Sequence, residues 1–221
     1  MLILGIDDAG RGPVIGPMIL AGCLITKETE KEFKKLGITD SKKLTQKQRE
    51  SFEKIIQEKA ETFEIGIAFP KEIDNSNYNG IKLNELEAIK TANIINKINK
   101  GYSKIKVVVD CPSVNLSKWQ DFLKTKIKNL TNLEISCEHK ADQNHIAVSA
   151  ASILAKSTRE KEMQKLKEKY GNEIGSGYTS DPATIKFIEK YAIKHKDKKI
   201  FRETWATWKN AVNKIGQKTL S

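Results

Sequence analysis

Acidic residues stand at the ends of the apolar segments that we expect to form strands. Asp7 and Asp8 close the first such segment, Asp110 ends a run of three valines, and Asp142 precedes a stretch of small residues. Ligands of open α/β sheets gather at the carboxyl ends of the strands, and clustered carboxylates need a compensating cation. Hard oxygen ligands favour Mg²⁺ or Mn²⁺, and two such ions about 3.5–4 Å apart form the usual clamp for in-line displacement at a phosphodiester. The pattern predicts a metal centre.

A simpler interpretation exists for each acid taken alone, because Asp is favoured in turns and at helix caps. Asp7 fits that interpretation least, since the turn after it already contains Gly10 and Gly12. Neighbouring residues of a strand point to opposite faces, so Asp7 and Asp8 share a site only if the chain bends after them.

The segment Gly10-Arg11-Gly12-Pro13 suits either a phosphate cradle or a tight turn. Glycines let backbone N–H groups approach a ligand closely, but the spacing alone favours the tight turn. The segment is neither G-x-G-x-x-G nor a Walker loop, which argues against a P-loop enzyme.

Helices and strands must position these residues, and their predicted order is that of a mixed α/β sheet with helices on its faces. Apolar alternation and apolar runs predict strands at residues 2–7, 15–26, 63–69, 105–110 and 133–137. Helical spacing predicts helices at residues 42–63, 83–98, 116–128, 146–170, 182–194 and 203–215. Thr45 and Gln48 form a capping box for the first helix.

The composition favours an anionic partner. The chain has 221 residues, with 39 Lys+Arg against 28 Asp+Glu and a formal net charge of +11. Nucleic acid is the commonest partner of such a chain, although solubility alone also explains a Lys-rich surface. No apolar run approaches the roughly 18 residues that a membrane span needs. The first residues lack the basic leader of a signal peptide, and three widely spaced cysteines favour a reducing cytoplasm.

Seven ordered stretches resemble type 2 ribonuclease H, in its short single-chain archaeal form. They are residues 5–13 (GIDDAGRGP), 40–44 (DSKKL), the strand ending at Asp110, 140–142 (KAD), 149–156 (SAASILAK), 175–182 (GSGYTSDP) and 202–207 (RETWAT). The resemblance implies a ribonuclease H-like catalytic domain over residues 1–175 and a C-terminal helical extension over 176–221. It implies a monomeric, cytoplasmic endonuclease that cleaves the RNA strand of RNA–DNA hybrids, and single ribonucleotides in duplex DNA, to a 3′-hydroxyl and a 5′-phosphate.

The resemblance also assigns residues. Asp7, Asp110 and Asp142 match three of the family's four metal-binding acids, and the ions are expected to be two Mg²⁺ or Mn²⁺. The fourth position departs from the pattern, because Asp8 stands where the family has Glu. Asp is one methylene shorter, and octahedral Mg²⁺ tolerates displaced ligands poorly. We expect a retained but metal-sensitive activity; the alternative is a weakened or non-catalytic hybrid-binding variant.

Recognition of RNA requires contact with the 2′-hydroxyl. In the family the Gly-Arg-Gly turn and a tyrosine make this contact, which maps to Gly10, Arg11, Gly12 and Tyr178 in this chain. Tyr178 alone would equally suit a loop aromatic that pins the glycines. Lys42 is a candidate phosphate contact at the start of a predicted helix, where a solvated first turn is the alternative.

Other polar residues fit structural roles as well as functional ones. Asp181 before Pro182 is better explained as a helix N-cap than as a further ligand. His145 is better explained by a structural hydrogen bond than by catalysis. The tail at residues 217–221 resembles the first half of a sliding-clamp-binding motif, but its aromatic pair is absent, and a frayed terminus explains it as well.

Two other functional classes compete with the nuclease. A non-catalytic nucleic-acid binder would satisfy the net charge, but clustered acids weaken phosphate binding unless metal is present. Another nuclease or integrase of the same fold would lack the glycine turn and Tyr178 together. A metal requirement for cleavage of hybrids, rather than for binding, separates these classes.

Overall fold

Helices and strands alternate along the chain. The structure is a computed structural model that describes residues 1–39, 44–101 and 103–218. The strands are β1 (Leu2–Ala9), β2 (Met18–Thr26), β3 (Thr62–Ala68), β4 (Ile105–Asp110) and β5 (Leu133–Glu138). The helices are α1 (Lys27–Lys35), α2 (Gln46–Lys59), α3 (Pro70–Tyr78), α4 (Leu83–Ile98), α5 (Leu116–Lys126), α6 (Ala141–Asn144), α7 (Ile146–Tyr170), α8 (Pro182–Tyr191) and α9 (Ala206–Lys218).

The strands form one mixed sheet in the order β3-β2-β1-β4-β5. Strand β1 pairs antiparallel with β2 and parallel with β4, and β4 pairs parallel with β5. The parallel strands β1, β4 and β5 therefore end at the same edge of the sheet. The predicted mixed α/β sheet with flanking helices is confirmed.

Several predicted bounds are confirmed, and the differences have local causes. Helices α4 and α7 and strand β4 have the predicted bounds. Strand β2 begins at Met18 rather than at residue 15, because Val14 and Ile15 donate their N–H groups to Gly177 and Gly16 donates to Ile200. The sequence did not predict α1, whose residues are mostly charged and whose one buried residue is Phe33.

Helix α2 shows the predicted capping box. The Thr45 hydroxyl accepts the N–H of Gln48, while the Gln48 side chain accepts the N–H of Thr45. The helix ends at Lys59 instead of residue 63, because β3 begins at Thr62. Lys42 lies outside the described residues.

The chain divides into two compact units that interleave along the sequence. The first comprises Met1–Ala9, Ile19–Gly66 and Asn84–Thr158, and the second comprises Gly10–Met18, Ile67–Leu83 and Arg159–Ser221. The consecutive division into residues 1–175 and 176–221 stays a prediction. Among the described helices, none combines the length and apolar content that crossing a membrane requires.

Each unit has its own apolar interior. In the first unit, α7 packs so closely on β1 that a Cβ atom at Gly5 would overlap the backbone of Ala147. The interior of the second is a cluster of aliphatic and aromatic side chains from two of its segments, Gly10–Met18 and Arg159–Ser221. Its buried members are Val14, Ile15, Met163, Ile174, Phe187, Ile188, Ala192, Ile200, Phe201, Trp208 and Ala211.

Candidate metal centre and glycine turn

Three of the predicted acids meet at one edge of the sheet. In the parallel β1–β4 pair Ile6 lies opposite Val109, and Asp7 and Asp110 are the next residues on their strands. The third acid, Asp142, lies on α6, whose first N–H group, that of Ala141, donates to Asp110 Oδ1 at 3.1 Å. Parallel pairing and this hydrogen bond bring together side chains from distant parts of the sequence.

The three carboxylates form a compact group. Each contributes one oxygen, and these oxygens lie within 4.8 Å of one another. Asp7 and Asp142 are buried, with exposures of 6% and 3%, and Asp110 is half-buried. Burial first, and then the neighbouring charges of Asp8 and Asp110, hold the pKa of Asp7 well above its ordinary value. Hydrogen bonds from Ser152 and from the N–H of Asp8, at 2.7 Å, oppose that rise in pKa only in part.

This donor set fits a hard divalent cation. Carboxylate oxygens are the ligands that Mg²⁺ and Mn²⁺ take, and the separations suit oxygens bound to one ion. Burial raises the pKa of Asp7 first, and a cation would offset the negative charges of Asp8 and Asp110 that add to this rise. Asp7, Asp110 and Asp142 are therefore the residues that would hold metal.

Asp8 lies outside this group of three. It follows Asp7 within β1 and pairs with Leu20 of β2, so the strand continues through both acids. Alternation along a strand directs the two side chains to opposite faces. The negative charge of Asp8 still acts on Asp7, as the raised pKa shows. The role of Asp8 as a fourth metal ligand stays a prediction.

The glycine turn, residues 10–13, belongs to the second unit, and its two glycines have different surroundings. Gly10 has φ +80°, and a Cβ atom there would overlap the side chain of Arg159. The fold therefore requires glycine at this position. At Gly12, by contrast, a Cβ atom would meet nothing within 4 Å. The absence of a side chain at Gly12 keeps a surface open instead of satisfying the packing of the protein.

Tyr178 lies in a loop held by two side chains of the α8 N-terminus. Asp181 accepts hydrogen bonds from the N–H and hydroxyl of Ser176, both at 2.7 Å, and from the N–H of Ala183 at 2.9 Å. These bonds, led by those from Ser176, lower the pKa of Asp181. Thr184 accepts the N–H of Gly177 at 2.9 Å. The prediction that Asp181 is an N-cap is confirmed.

Arg159 joins the loop to the glycine turn within the second unit. Its guanidinium carbon lies 5.1 Å from the centre of the Tyr178 ring, and Nη2 donates to the Ser176 carbonyl at 3.3 Å. Tyr178 is 42% exposed while Arg159 is only 6% exposed. One face of the tyrosine is thus supported from inside the protein, and much of its surface remains accessible.

The sequence predicted no individual role for Arg159 or Arg202. Arg159 carries no signal among so many basic residues, whereas Arg202 lies in a stretch that carries the resemblance. Arg202 is fully buried, which a charged side chain rarely is without several hydrogen-bond partners. His145 makes the structural type of contact that was expected, with Nε2 at 2.8 Å from Glu138 Oε2.

Two of the three cysteines have raised thiol pKa values. All three are buried and free of disulfides, and burial raises the pKa of Cys23 to about 12. Burial, followed by the neighbouring Cys111, likewise raises the pKa of Cys137 to about 12. Thiol nucleophiles need a lowered pKa, so Cys23 and Cys137 are poor candidates for such a role.

Comparison with known proteins decides the family. The family model for ribonuclease HII matches residues 4–208. The chain belongs to the ribonuclease HII family. It is 44% identical over 230 residues to the ribonuclease HII of Methanocaldococcus jannaschii, in a match that covers 100% of this chain and 99% of that protein.

Solved structures of ribonuclease HII share the fold. The chain is 38% identical to ribonuclease H2 of Pyrococcus horikoshii, with a TM-score of 0.85 over 97% of this chain and 98% of that one. It is also similar to the PCNA:RNase HII complex from Archaeoglobus fulgidus, at 34% identity and a TM-score of 0.81, over 93% of this chain and 95% of that one. The expected ribonuclease H-like fold is confirmed.

Membership fixes the class of reaction. A ribonuclease HII is an endonuclease, a hydrolase that depends on divalent metal. The prediction that this chain is a ribonuclease H enzyme is confirmed, and its group of three carboxylates is consistent with the metal requirement.

Proposed function

We propose that this ribonuclease HII cleaves the RNA strand of RNA–DNA hybrids and also cuts at single ribonucleotides within duplex DNA. Water attacks phosphorus, the bond from phosphorus to the 3′ oxygen breaks, and the leaving oxygen takes up a proton. The products are a 3′-hydroxyl and a 5′-phosphate. The observation that carries this proposal is the group formed by Asp7, Asp110 and Asp142 at the shared end of parallel strands.

The acids hold the reaction centre through their charge and rigidity. Divalent ions bound there would make water a stronger nucleophile and neutralise the charge that develops on the leaving oxygen. Asp110 is fixed by the N–H of Ala141, and Asp7 by Ser152 and the N–H of Asp8. Carboxylates locked in this way lose little freedom when a ligand binds, so positioning and electrostatics supply the catalysis.

Selection for ribose rests on the glycine turn and Tyr178. Gly12 leaves open space above its backbone, which lets a sugar or phosphate approach the N–H groups of Arg11 and Gly12. The exposed Tyr178 offers a ring to stack on a sugar and a hydroxyl for a hydrogen bond. We assign Gly10, Arg11, Gly12 and Tyr178 to recognition of the 2′-hydroxyl at the junction with the next deoxynucleotide.

Two further assignments refine the proposal. Asp8 acts as the fourth acid, and its short side chain makes activity sensitive to the choice between Mg²⁺ and Mn²⁺. Lys42 contacts a phosphate of the substrate. The competing hypothesis is a weakened hybrid-binding variant, and the single observation in its favour is that Asp8 lies outside the group of three acids.

The partners follow from charge and from relatives. A net charge of +11 favours the nucleic-acid backbone. The Archaeoglobus fulgidus relative forms a complex with PCNA, and we propose that this chain, a cytoplasmic monomer, also binds a sliding clamp through its C-terminal tail. Residues 219–221 of that tail lie outside the described residues.

The test is cleavage of a labelled DNA duplex carrying one ribonucleotide, and of a long RNA–DNA hybrid, with Mg²⁺, Mn²⁺ or EDTA. Asp110→Asn removes one ligand while keeping an oxygen for the N–H of Ala141. Asp121→Asn is the matched control, because it makes the same change at an exposed position of α5.

We expect a metal-dependent cut on the 5′ side of the ribonucleotide that Asp110→Asn abolishes and Asp121→Asn retains. A chain that cuts the hybrid alone would refute recognition of single ribonucleotides. Binding without cleavage in either metal would favour the hybrid-binding variant, and restoring Glu at position 8 would then decide whether Asp8 is the cause.

A further inference from the structure

The carbonyl groups of the glycine turn are all held from one side. Arg202 donates from Nη2 to the Gly10 carbonyl at 2.6 Å and from Nη1 to the Arg11 carbonyl at 2.7 Å. Trp205 donates from Nε1 to the Gly12 carbonyl at 3.3 Å. Three consecutive peptide groups are thus oriented by two side chains of the stretch at residues 202–207.

This arrangement determines where the N–H groups of the turn point. In a planar trans peptide the N–H is opposed to the C=O of the same unit. The peptide groups that contain the Gly10 and Arg11 carbonyls also contain the N–H groups of Arg11 and Gly12. These two N–H groups therefore point away from Arg202. The third peptide group, which contains the Gly12 carbonyl, includes the nitrogen of Pro13 and has no N–H. The turn presents two directed donors on the side opposite the guanidinium.

Arg202 is itself fixed. It is fully buried, its N–H donates to the Val14 carbonyl at 2.8 Å, and its guanidinium also donates to the Gly16 carbonyl at 3.0 and 3.1 Å. The planar fork of an arginine can reach several carbonyls at once, which the single ammonium of a lysine does not.

Asp74 of α3 holds the backbone next to Arg202. Its carboxylate accepts the N–H of Glu203 at 2.8 Å, and the N–H and hydroxyl of Thr204 at 3.0 and 2.6 Å. Asp74 is 6% exposed. These bonds explain why α9 begins at Ala206 and not at the predicted residue 203: the preceding residues serve as donors to Asp74.

We infer that Asp74, Arg202 and Trp205 are positioning residues for recognition of a ribonucleotide. Asp74 fixes residues 203 and 204, Arg202 and Trp205 fix the carbonyls of the turn, and the N–H groups of Arg11 and Gly12 are thereby aimed at the ribose. This inference rests on the proposed function, to which it adds the residues that orient the recognition loop.

The experiment compares kcat/KM on the duplex with one ribonucleotide and on the long hybrid. Trp205→Phe removes the donor to the Gly12 carbonyl and keeps an aromatic ring beside Arg202, whose Cζ lies 5.1 Å from the Trp205 ring. Trp208→Phe makes the same chemical change in the apolar interior of this unit. Asp121→Asn is the matched control for Asp74→Asn, because it makes the same chemical change at an exposed position.

A lone ribonucleotide offers one 2′-hydroxyl and one productive register, so it suffers most from a misdirected turn. We expect Trp205→Phe and Asp74→Asn to lower kcat/KM on that duplex roughly threefold to tenfold while the long hybrid changes by less than about twofold. Thermal unfolding is measured for each variant. We expect Trp208→Phe to lower the melting temperature without changing the ratio between the substrates.

Equal losses of kcat/KM on both substrates, or an unchanged ratio between the substrates in Trp205→Phe, would overturn this inference. The proposed function would stand, since the unmodified chain still cuts both substrates. A chain that cuts neither substrate overturns the proposed function and the inference with it. If Asp74→Asn does not fold, Trp205→Phe still decides the outcome.

Discussion

Replacing Asp110 with Asn should make the metal-free protein more stable while it abolishes cleavage. Asn has the same shape and keeps an oxygen for the N–H of Ala141, so the change removes a charge and little else. Asp110 is one of three carboxylates that crowd together, and its charge contributes to the raised pKa of Asp7. Catalytic acids of this kind are held at a cost in stability.

The separation of the acids sets the size of the effect. The carboxylate oxygens lie within 4.8 Å of one another, and two charges at that separation would repel by about 3.5 kcal/mol at an effective dielectric constant of 20. Because Asp110 is half-buried, solvent screens part of this repulsion, and we expect a gain of about 1–3 kcal/mol in the free energy of unfolding. For a chain of this length that gain corresponds to a rise of about 2–12 °C in melting temperature.

The pH dependence has a definite sign. The folded-state pKa of Asp7 lies above its unfolded value, chiefly because the group is buried. The folded protein therefore holds a proton that the unfolded chain has lost, and stability falls as pH rises from the ordinary carboxyl pKa through the raised one. Removing the charge of Asp110 lowers the pKa of Asp7 and shortens the pH range over which stability falls.

The assay is thermal unfolding in EDTA and in excess Mg²⁺ or Mn²⁺. Metal at 100 times its dissociation constant should stabilise the unmodified chain by about 2.7 kcal/mol, whereas Asp110→Asn should gain far less. The stability advantage of Asp110→Asn in EDTA should therefore shrink or reverse in metal, and the Asp121→Asn control should follow the unmodified chain. A variant that is less stable in EDTA, or that gains as much from metal as the unmodified chain, would refute the reasoning.

Other substitutions test the recognition loop and the fourth acid. Gly10→Ala should lower the free energy of unfolding by about 1–2 kcal/mol or more, because φ is +80° and the new methyl group overlaps Arg159; an unchanged melting temperature would contradict this. Gly12→Ala should leave that temperature within a few degrees and reduce cleavage at a lone ribonucleotide by about tenfold; retained cleavage would remove Gly12 from recognition. Tyr178→Phe should impair cleavage of a lone ribonucleotide more than of a long hybrid, and equal losses would contradict a role at the junction. Asp8→Glu should raise the rate and reduce the preference for one metal, so unchanged kinetics in Mg²⁺ and Mn²⁺ would show that the shorter acid is of no consequence.

Features that depend on local pattern could be predicted from the sequence. Apolar spacing predicted α4 at its observed bounds, and the residue types of Thr45 and Gln48 predicted their capping box. The sequence also placed Asp110 at the end of its strand, whereas β1 continues past Asp7 to Ala9. Helix α1 escaped prediction because it is mostly charged and buries only Phe33, so local pattern gave no signal.

How distant residues combine depends on the folded arrangement of strands and helices. Parallel pairing of β1 and β4 set Asp7 beside Asp110, and a single N–H bond brought α6 and Asp142 to them. The bond from Arg202 to the Gly10 carbonyl joins residues 192 positions apart in the chain. No local pattern specifies such contacts, because they arise only when strand register and the burial of a charged group are satisfied together by the folded chain.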